Sequence, residues 1–177
     1  MNKNDLENRI KAAIRDIPDF PKKGIIFKDI TPLLSDAVLF RDITAHFAEH
    51  FKNAGVKKVL AIESRGFILG APIAQALGAG FVPVRKKGKL PYKKVSATYA
   101  LEYGTDTLEM HSDAIRPGEK ILIVDDVLAT GGTASAVIEM AEKLGGKVAG
   151  VAMLIELTAC CGGKKLGGKE LYSLIKY

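Results

Sequence analysis

The chain has 177 residues, 47% of them hydrophobic and 26% charged, an ordinary globular composition for one domain, residues 1–177, with enough apolar residues for a core. Basic residues outnumber acidic ones by 26 to 20, but the decapeptide Arg85-Lys-Lys-Gly-Lys-Leu-Pro-Tyr-Lys-Lys94 holds six of the basic residues and no acid, and without it the rest balances at twenty each. A generally basic nucleic-acid binder is thereby excluded, as is a membrane protein, because no apolar run is long enough to span a bilayer and the polar start Met1-Asn-Lys-Asn-Asp-Leu-Glu7 lacks the apolar stretch of an export signal.

Apolar positions at Leu6, Ile10, Ala13, Ile14 and Ile17 have helical spacing and predict a helix over 4–17, broken by Pro18 and Pro21. Residues 24–34 read as an extended or irregular connector. Ser35 or Asp36 can cap a second helix that runs to about Ala54, with Gly55 as its stop. An alternation follows: a strand at 58–62, the turn Ser64-Arg65-Gly66, a helix to about Leu77, and a strand at 80–85 that leads into the basic decapeptide. Segments 97–103 and 106–111 suggest a hairpin around Gly104-Thr105. Arg116-Pro-Gly118 turns the chain into a strand at 120–124; a helix at 133–144, a strand at 147–155 and a short strand at 172–177 complete the chain. Alternating strands and helices predict an α/β fold, a parallel-core twisted sheet flanked by helices. Ligands in such folds bind beyond the carboxyl ends of the strands, where the turn at Ser64, the basic loop and the end of the 120–124 strand all lie.

The most informative stretch is Ile121-Leu-Ile-Val-Asp-Asp-Val-Leu-Ala-Thr-Gly-Gly-Thr133. Four apolar residues read as a buried strand, with Asp125 and Asp126 expected at its end. The loop Ala129-Thr130-Gly131-Gly132-Thr133 then opens a helix. Glycines let backbone N–H groups close on an oxyanion, and the helix N-terminus favours negative charge. The carboxylates suit hydroxyl groups, a metal-bound water or a cation formed during reaction. A ribose 5-phosphate satisfies both halves. A strand, turn and helix without a ligand would leave two adjacent carboxylates as electrostatic cost alone. No Lys follows the glycine pair, so this is not the common nucleotide loop, nor is it Gly-x-Gly-x-x-Gly. The basic loop, taken alone, reads equally as a solvated loop, an RNA patch or a site for a small anion; beside a phosphate cradle the small anion is the better reading.

This block resembles the signature of the type I phosphoribosyltransferases, which bind phosphoribosyl pyrophosphate. More of the chain joins the resemblance in order. Asp19-Phe-Pro-Lys-Lys-Gly-Ile-Ile-Phe-Lys-Asp-Ile-Thr-Pro32 is similar to the base-binding segment of the adenine phosphoribosyltransferases, Glu63-Ser-Arg-Gly-Phe67 to their pyrophosphate turn, Arg85-Lys-Lys-Gly-Lys-Leu-Pro91 and Tyr99-Ala-Leu-Glu-Tyr-Gly104 to their flexible loop, and Glu156-Leu-Thr158 with Lys165-Leu166 to their C-terminal part. The resemblance implies the type I fold, with a small N-terminal base-binding segment within 1–35 and a flexible loop and hairpin at 85–111. It implies purine salvage, in which adenine and phosphoribosyl pyrophosphate give AMP and pyrophosphate, with magnesium carried on the substrate and no direct protein ligand. It also implies a homodimer.

The resemblance further implies roles for residues. Asp125 and Asp126 bind the ribose hydroxyls and offset positive charge on the ribose; Ala129 to Thr133 hold the 5-phosphate; Ser64, Arg65, Arg85, Lys86, Lys89 and Tyr103 serve pyrophosphate; Ile26, Phe27, Lys28 and Leu128 serve adenine. A cis peptide is implied at the Ser64-Arg65 turn. Ala129 stands where related 6-oxopurine enzymes carry an Asp near the base, so another acid is needed, and Glu102 is the family's candidate. Glu102, Asp125, Asp126 and Arg65 are therefore the expected catalytic set. Two alternatives stand beside this: a transferase for another purine such as xanthine, and a regulator that senses phosphoribosyl pyrophosphate. His46 and His50 lie four apart, but His-Phe-Ala-Glu-His is not a zinc motif and reads as an ordinary amphipathic helix. The adjacent Cys160 and Cys161 have poor geometry for a mutual disulfide and depart from the family pattern; as reactive thiols or as small-residue fill, they fit a reducing cytoplasm.

Overall fold

The computed structural model describes residues 3–100 and 104–177. Two compact units divide the chain, residues 1–46 and 47–177.

In the first unit, α1 (Lys3–Ala13) buries Leu6 and Ile10, as its spacing predicts. It ends four residues before the predicted stop. Pro18 disfavours helical backbone at Ile17, and Arg15–Pro18 instead forms β1, paired antiparallel with β2 (Ile26–Asp29) in the register Ile17↔Phe27. The connector expected at 24–34 therefore holds a strand and a short helix, α2 (Thr31–Ser35). The Asp29 carboxylate accepts the Thr31 N–H at 2.9 Å, and Pro32 falls in the first turn, where its missing N–H loses nothing. Asp36 caps α3 (Ala37–Phe51): its Oδ1 accepts from Val38 N at 3.0 Å and from Leu39 N at 2.9 Å. Arg9 Nη1 donates to Asp42 Oδ2 at 2.9 Å and ties α1 to α3.

In the second unit a seven-stranded sheet has the order β5-β6-β4-β3-β7-β8-β9, with β3 (Lys58–Ile62), β4 (Gly80–Lys86), β5 (Lys94–Ala100), β6 (Thr105–His111), β7 (Lys120–Leu128), β8 (Lys147–Glu156) and β9 (Leu171–Lys176). The five strands β4-β3-β7-β8-β9 are parallel, and the β5–β6 hairpin joins antiparallel at the β4 edge. Two helices, α4 (Arg65–Leu77) and α5 (Gly132–Lys143), make the crossovers β3-α4-β4 and β7-α5-β8. The chain leaves β3 in one direction and β7 in the other, so right-handed crossovers put the two helices on opposite faces. Leu60, Ile62, Ile121 and Ile123 pack with Val137, Met140 and Ala141 of α5 in one buried cluster. The point between β3 and β7 where the strand order reverses is the crevice in which α/β folds bind ligands.

One boundary matters for the site. β7 runs to Leu128, four residues past its predicted end, so Asp125 and Asp126 lie inside the strand rather than after it. β3 stops pairing with β7 at Ala61↔Val124, whereas β8 follows it to Leu128↔Glu156. From Asp125 onward β7 is paired on one side only, and the other side is open to the Ser64-Arg65 turn.

Candidate active site

The loop after β7 turns at Gly131, whose φ of +78° lies in the left-handed region that favours glycine. A Cβ on Gly131 would also come within 2.3 Å of the Gly162 carbonyl oxygen, and one on Gly162 within 2.2 Å of the Ala129 carbonyl oxygen. The two backbones are in contact here, and the 3-10 segment Gly162–Leu166 backs the loop. Gly131 precedes α5, and Ser135 N donates to its carbonyl at 2.9 Å, so the loop's N–H groups sit at the positive end of the helix. A cavity of about 180 Å³ opens on this loop, lined by Asp125, Leu128, Ala129, Thr130, Gly131 and Thr133 among others. The predicted phosphate loop and the first acid therefore share one cavity.

Asp126 is 4% exposed. Its Oδ2 lies 2.7 Å from Arg65 Nε, yet that oxygen has no well-directed hydrogen bond, so the contact is an ion pair with poor alignment. Asp125 Oδ1 accepts from Asp126 N at 2.9 Å. Burial raises the Asp125 carboxyl well above the usual range, and the neighbouring charge of Asp126 adds to it. Burial also raises Asp126, against the opposing pull of Arg65. Two desolvated, mutually repelling carboxylates are a standing demand for positive charge or hydroxyl donors. Gly66 makes room for them: a Cβ there would stand 2.9 Å from both Asp125 Oδ1 and the Val124 carbonyl oxygen. The cis peptide of this turn is Glu63–Ser64, one bond earlier than the Ser64-Arg65 position that the resemblance implies.

The cationic segment departs from its sequence reading as a loop of unbalanced charge. Arg85 and Lys86 belong to β4 and Lys94 to β5. Glu63, at the end of β3, receives Lys89 Nζ at 2.6 Å, Lys86 N at 3.0 Å and Arg85 Nε at 3.2 Å. Lys86 Nζ meets the Asp106 carboxylate and donates to Tyr99 Oη at 3.1 Å. Lys94 Nζ and Gly88 N both donate to Glu109 Oε2 at 2.9 Å. Burial pushes Glu63 up, but its donors outweigh burial and hold it below the usual range. Asp106 is held low by Lys86, and Glu109 by Lys94. Tyr99 also reaches the phosphate loop: a Cβ on Gly132 would lie 3.2 Å from the Ala100 carbonyl oxygen and 3.3 Å from the Tyr99 ring.

The fold thus brings Arg65 to Asp126 and Gly66, in the turn that also holds Ser64, to Asp125, and Arg85, Lys86 and Lys89 to the strand end that carries the same turn. Leu128, 2% exposed, lines the phosphate-loop cavity. Ile26, Phe27 and Lys28 lie on β2 of the first unit; Ile26 is 58% exposed, Phe27 packs edge-on against Phe20 at 5.2 Å, and Lys28 donates to Asp16 at 2.7 Å. Glu102 and Tyr103 lie outside the described residues. His50 stacks on Tyr172 at 3.7 Å and bonds Glu170 at 2.9 Å, in keeping with an ordinary helix histidine. Cys160 and Cys161 are free and exposed. The role of Glu63 towards the cations escaped the sequence reading. Its signal was an acid directly before an anion-binding turn, a placement that calls for cations nearby. Asp106, Glu109 and Gly162 carried no comparable signal, because only strand pairing and loop packing bring them in.

Two acids near a strand end stand beside a glycine loop that opens a helix on this sheet, and the family model for the phosphoribosyl transferase domain matches residues 33–169. The adenine phosphoribosyltransferase of Kosmotoga olearia is 56% identical over 168 residues, 95% of this chain and 99% of that one. The crystal structure of adenine phosphoribosyltransferase from Thermoanaerobacter pseudethanolicus has a TM-score of 0.93 at 52% identity and covers 96% of this chain and 99% of its own. That from Saccharomyces cerevisiae, complexed with an imino-altritol bisphosphate and adenine, has a TM-score of 0.91 at 38% identity, covering 97% and 99%. The chain belongs to the phosphoribosyltransferases and, within them, to the adenine phosphoribosyltransferase family.

Proposed function

We propose that the chain, as one catalytic domain, transfers the 5-phosphoribosyl group from phosphoribosyl pyrophosphate to adenine, giving AMP and pyrophosphate in purine salvage. The observation that carries this is the adjacency of the buried Asp125–Asp126 pair, Arg65 and the Gly131 loop at one strand end. Backbone N–H groups of Ala129 to Thr133 hold the 5-phosphate at the start of α5. Asp125 and Asp126 take the ribose hydroxyls and offset the cationic character that grows on the ribose as its C1–O bond breaks. Arg65, with Arg85, Lys86, Lys89 and the Ser64 turn, takes up the charge of the leaving pyrophosphate. The adenine N9 attacks C1 and its proton passes to a base, for which Glu102 is the candidate. Ile26 and Lys28 offer backbone groups to the adenine edge, Phe27 a ring face and Leu128 an apolar wall, and Tyr103 is assigned to pyrophosphate.

Magnesium is read as a companion of the substrate, held mainly by pyrophosphate oxygens and water. Bound there, it would neutralise charge on the leaving group. A homodimer is supported by Ile68 and Phe81, exposed at 43% and 39%, with Phe67 edge-on to Phe81 at 5.8 Å. A cytoplasmic setting fits two free, exposed cysteines. No helix of the described residues is long and apolar enough to cross a membrane. Neither nucleic acid nor membrane enters the reaction proposed.

Pure protein with magnesium, phosphoribosyl pyrophosphate and each of adenine, hypoxanthine, guanine and xanthine tests the assignment. AMP from adenine alone is expected. Nucleotide from another base would overturn the choice of base, and binding of phosphoribosyl pyrophosphate without any product would favour a sensing regulator. Glu102→Gln should lower kcat by about 10²-fold, the usual scale for a general acid or base; near-normal turnover would remove Glu102 from the proton path.

A further inference from the structure

Glu63 is the least expected residue beside a site for pyrophosphate. An acid there repels the ligand unless it does something for the cations. Its side chain is 9% exposed, and four contacts converge on it: Lys89 Nζ at 2.6 Å, Lys86 N at 3.0 Å, Arg85 Nε at 3.2 Å and Arg85 Nη2 at 3.5 Å. Arg85 is held at a second point, because its Nη1 donates to the Lys89 carbonyl at 3.0 Å. The turn between those residues is closed by Lys89 N to the Lys86 carbonyl at 3.3 Å and anchored by Gly88 N to Glu109 at 2.9 Å. One carboxylate therefore fixes both the path of the turn and the direction of two cationic side chains.

The count of donors separates an organiser from a competitor. A guanidinium has five N–H donors and an ammonium three. Glu63 engages Nε and one Nη2 donor of Arg85 and a single donor of Lys89, so both cations keep further donors for phosphate oxygens. Lys89 is half-exposed and Arg85 one-third exposed, whereas the carboxylate between them is covered. A long cationic side chain loses rotamer freedom when it meets a ligand; a side chain already held loses less.

We propose that Glu63 is a positioning residue for the pyrophosphate end of the substrate: it holds Arg85, Lys89 and the turn between them so that their remaining donors face the leaving group beside Ser64-Arg65. The inference rests on the assignment of that turn and the basic segment to pyrophosphate made above.

The test is pyrophosphate binding by calorimetry, together with steady-state kinetics, on wild type, Glu63→Gln, Glu63→Asp and Lys89→Met. Wild type must first form AMP and bind pyrophosphate; if it does neither, the functional assignment fails rather than this inference. Glu63→Gln should weaken pyrophosphate binding and raise the KM for phosphoribosyl pyrophosphate about tenfold, the scale of one lost charge-assisted contact. The KM for adenine and kcat should move by less than about twofold, because uniform binding is lost rather than an interaction confined to the transition state. Glu63→Asp, which keeps the charge, should recover part of the loss. Unchanged or tighter pyrophosphate binding in Glu63→Gln would overturn the proposal and make Glu63 a competitor. An Asp variant no better than Gln would overturn it as well. If Glu63→Gln does not fold, Lys89→Met, on the exposed side of the pair, should weaken pyrophosphate binding by a similar factor; unaltered binding there is equally decisive against the proposal.

Discussion

Arg65 Nε stands 2.7 Å from Asp126 Oδ2, yet that buried oxygen lacks a well-directed hydrogen bond. The pair is close enough to lower the electrostatic strain of two adjacent buried acids. It joins the Ser64-Arg65 turn to the acid pair of β7.

Asp125→Asn should lower kcat/KM by about 10²–10³-fold, the loss typical for one group that stabilises charge in the transition state. It should also raise the melting temperature at neutral pH. Burial raises the folded-state value of Asp125 above the unfolded one, so its contribution to stability is greatest below the ordinary value of 3.8 and is lost as pH rises through the folded value. Keeping Asp125 ionised in its buried place is therefore a burden that grows as pH rises above 3.8, and the gain from Asn should shrink on titration towards pH 3.8. Calorimetric melts across pH check this; a lower melting temperature for Asn at pH 7 would contradict it.

The carboxylates that hold the cationic segment behave in the opposite sense. Glu63, Asp106 and Glu109 lie below their ordinary values of 4.5, 3.8 and 4.5, so the stability they lend is present above those values and is lost as pH falls through the depressed ones. Acid should release residues 86–100 before the core strands melt. Hydrogen exchange or limited proteolysis between neutral pH and pH 3 should show protection at Lys87 to Lys94 falling first; simultaneous loss across β3 and β7 would count against local release.

Gly131→Ala should be severe. The new methyl would need the left-handed backbone at φ +78° and would meet the Gly162 carbonyl oxygen at 2.3 Å, a backbone atom that cannot swing aside as a side chain could. A stability loss of about 1–3 kcal/mol is expected from the clash, together with loss of AMP formation because the N–H groups of the loop are displaced. Urea titration and the adenine assay measure the two parts.

Gly66→Ala probes the other wall. Its methyl would stand 2.9 Å from Asp125 Oδ1 and from the Val124 carbonyl oxygen, so the acid must shift. A displacement near 1 Å in a catalytic group lowers rate by about 10²-fold. Normal kinetics with a normal melting temperature would show that Asp125 has more freedom than the packing indicates.

Much of the site was legible in the amino-acid order because its parts are local. The apolar run Ile121 to Val124, the acid pair and the Thr-Gly-Gly-Thr loop lie within one short stretch, so strand, carboxylates and the proposed phosphate cradle are written in thirteen residues. The helix after Asp36 was legible for the same reason, since a cap acts over three residues. The first helix was overread. Its apolar spacing continues to Ile17, but Pro18 and pairing with Phe27 turn those residues into a strand, and that partner lies ten residues away.

The sequence by itself determined the class of chemistry and the alternating α/β order, and it marked the segments proposed to meet the ligand, because backbone propensity, capping and contiguous motifs act over a few residues. The tertiary structure decided what those segments do to one another. It carried β7 four residues past its predicted end, because β8 pairs with it as far as Leu128. It turned a surplus of positive charge into a set of held cations, because sheet pairing delivers Glu63 from the end of β3 and Asp106 and Glu109 from β6. It set Gly162 against Gly131 across thirty-one residues of chain. Charge and contact at such distances depend on strand register and crossover hand, and neither is a property of any short stretch of sequence.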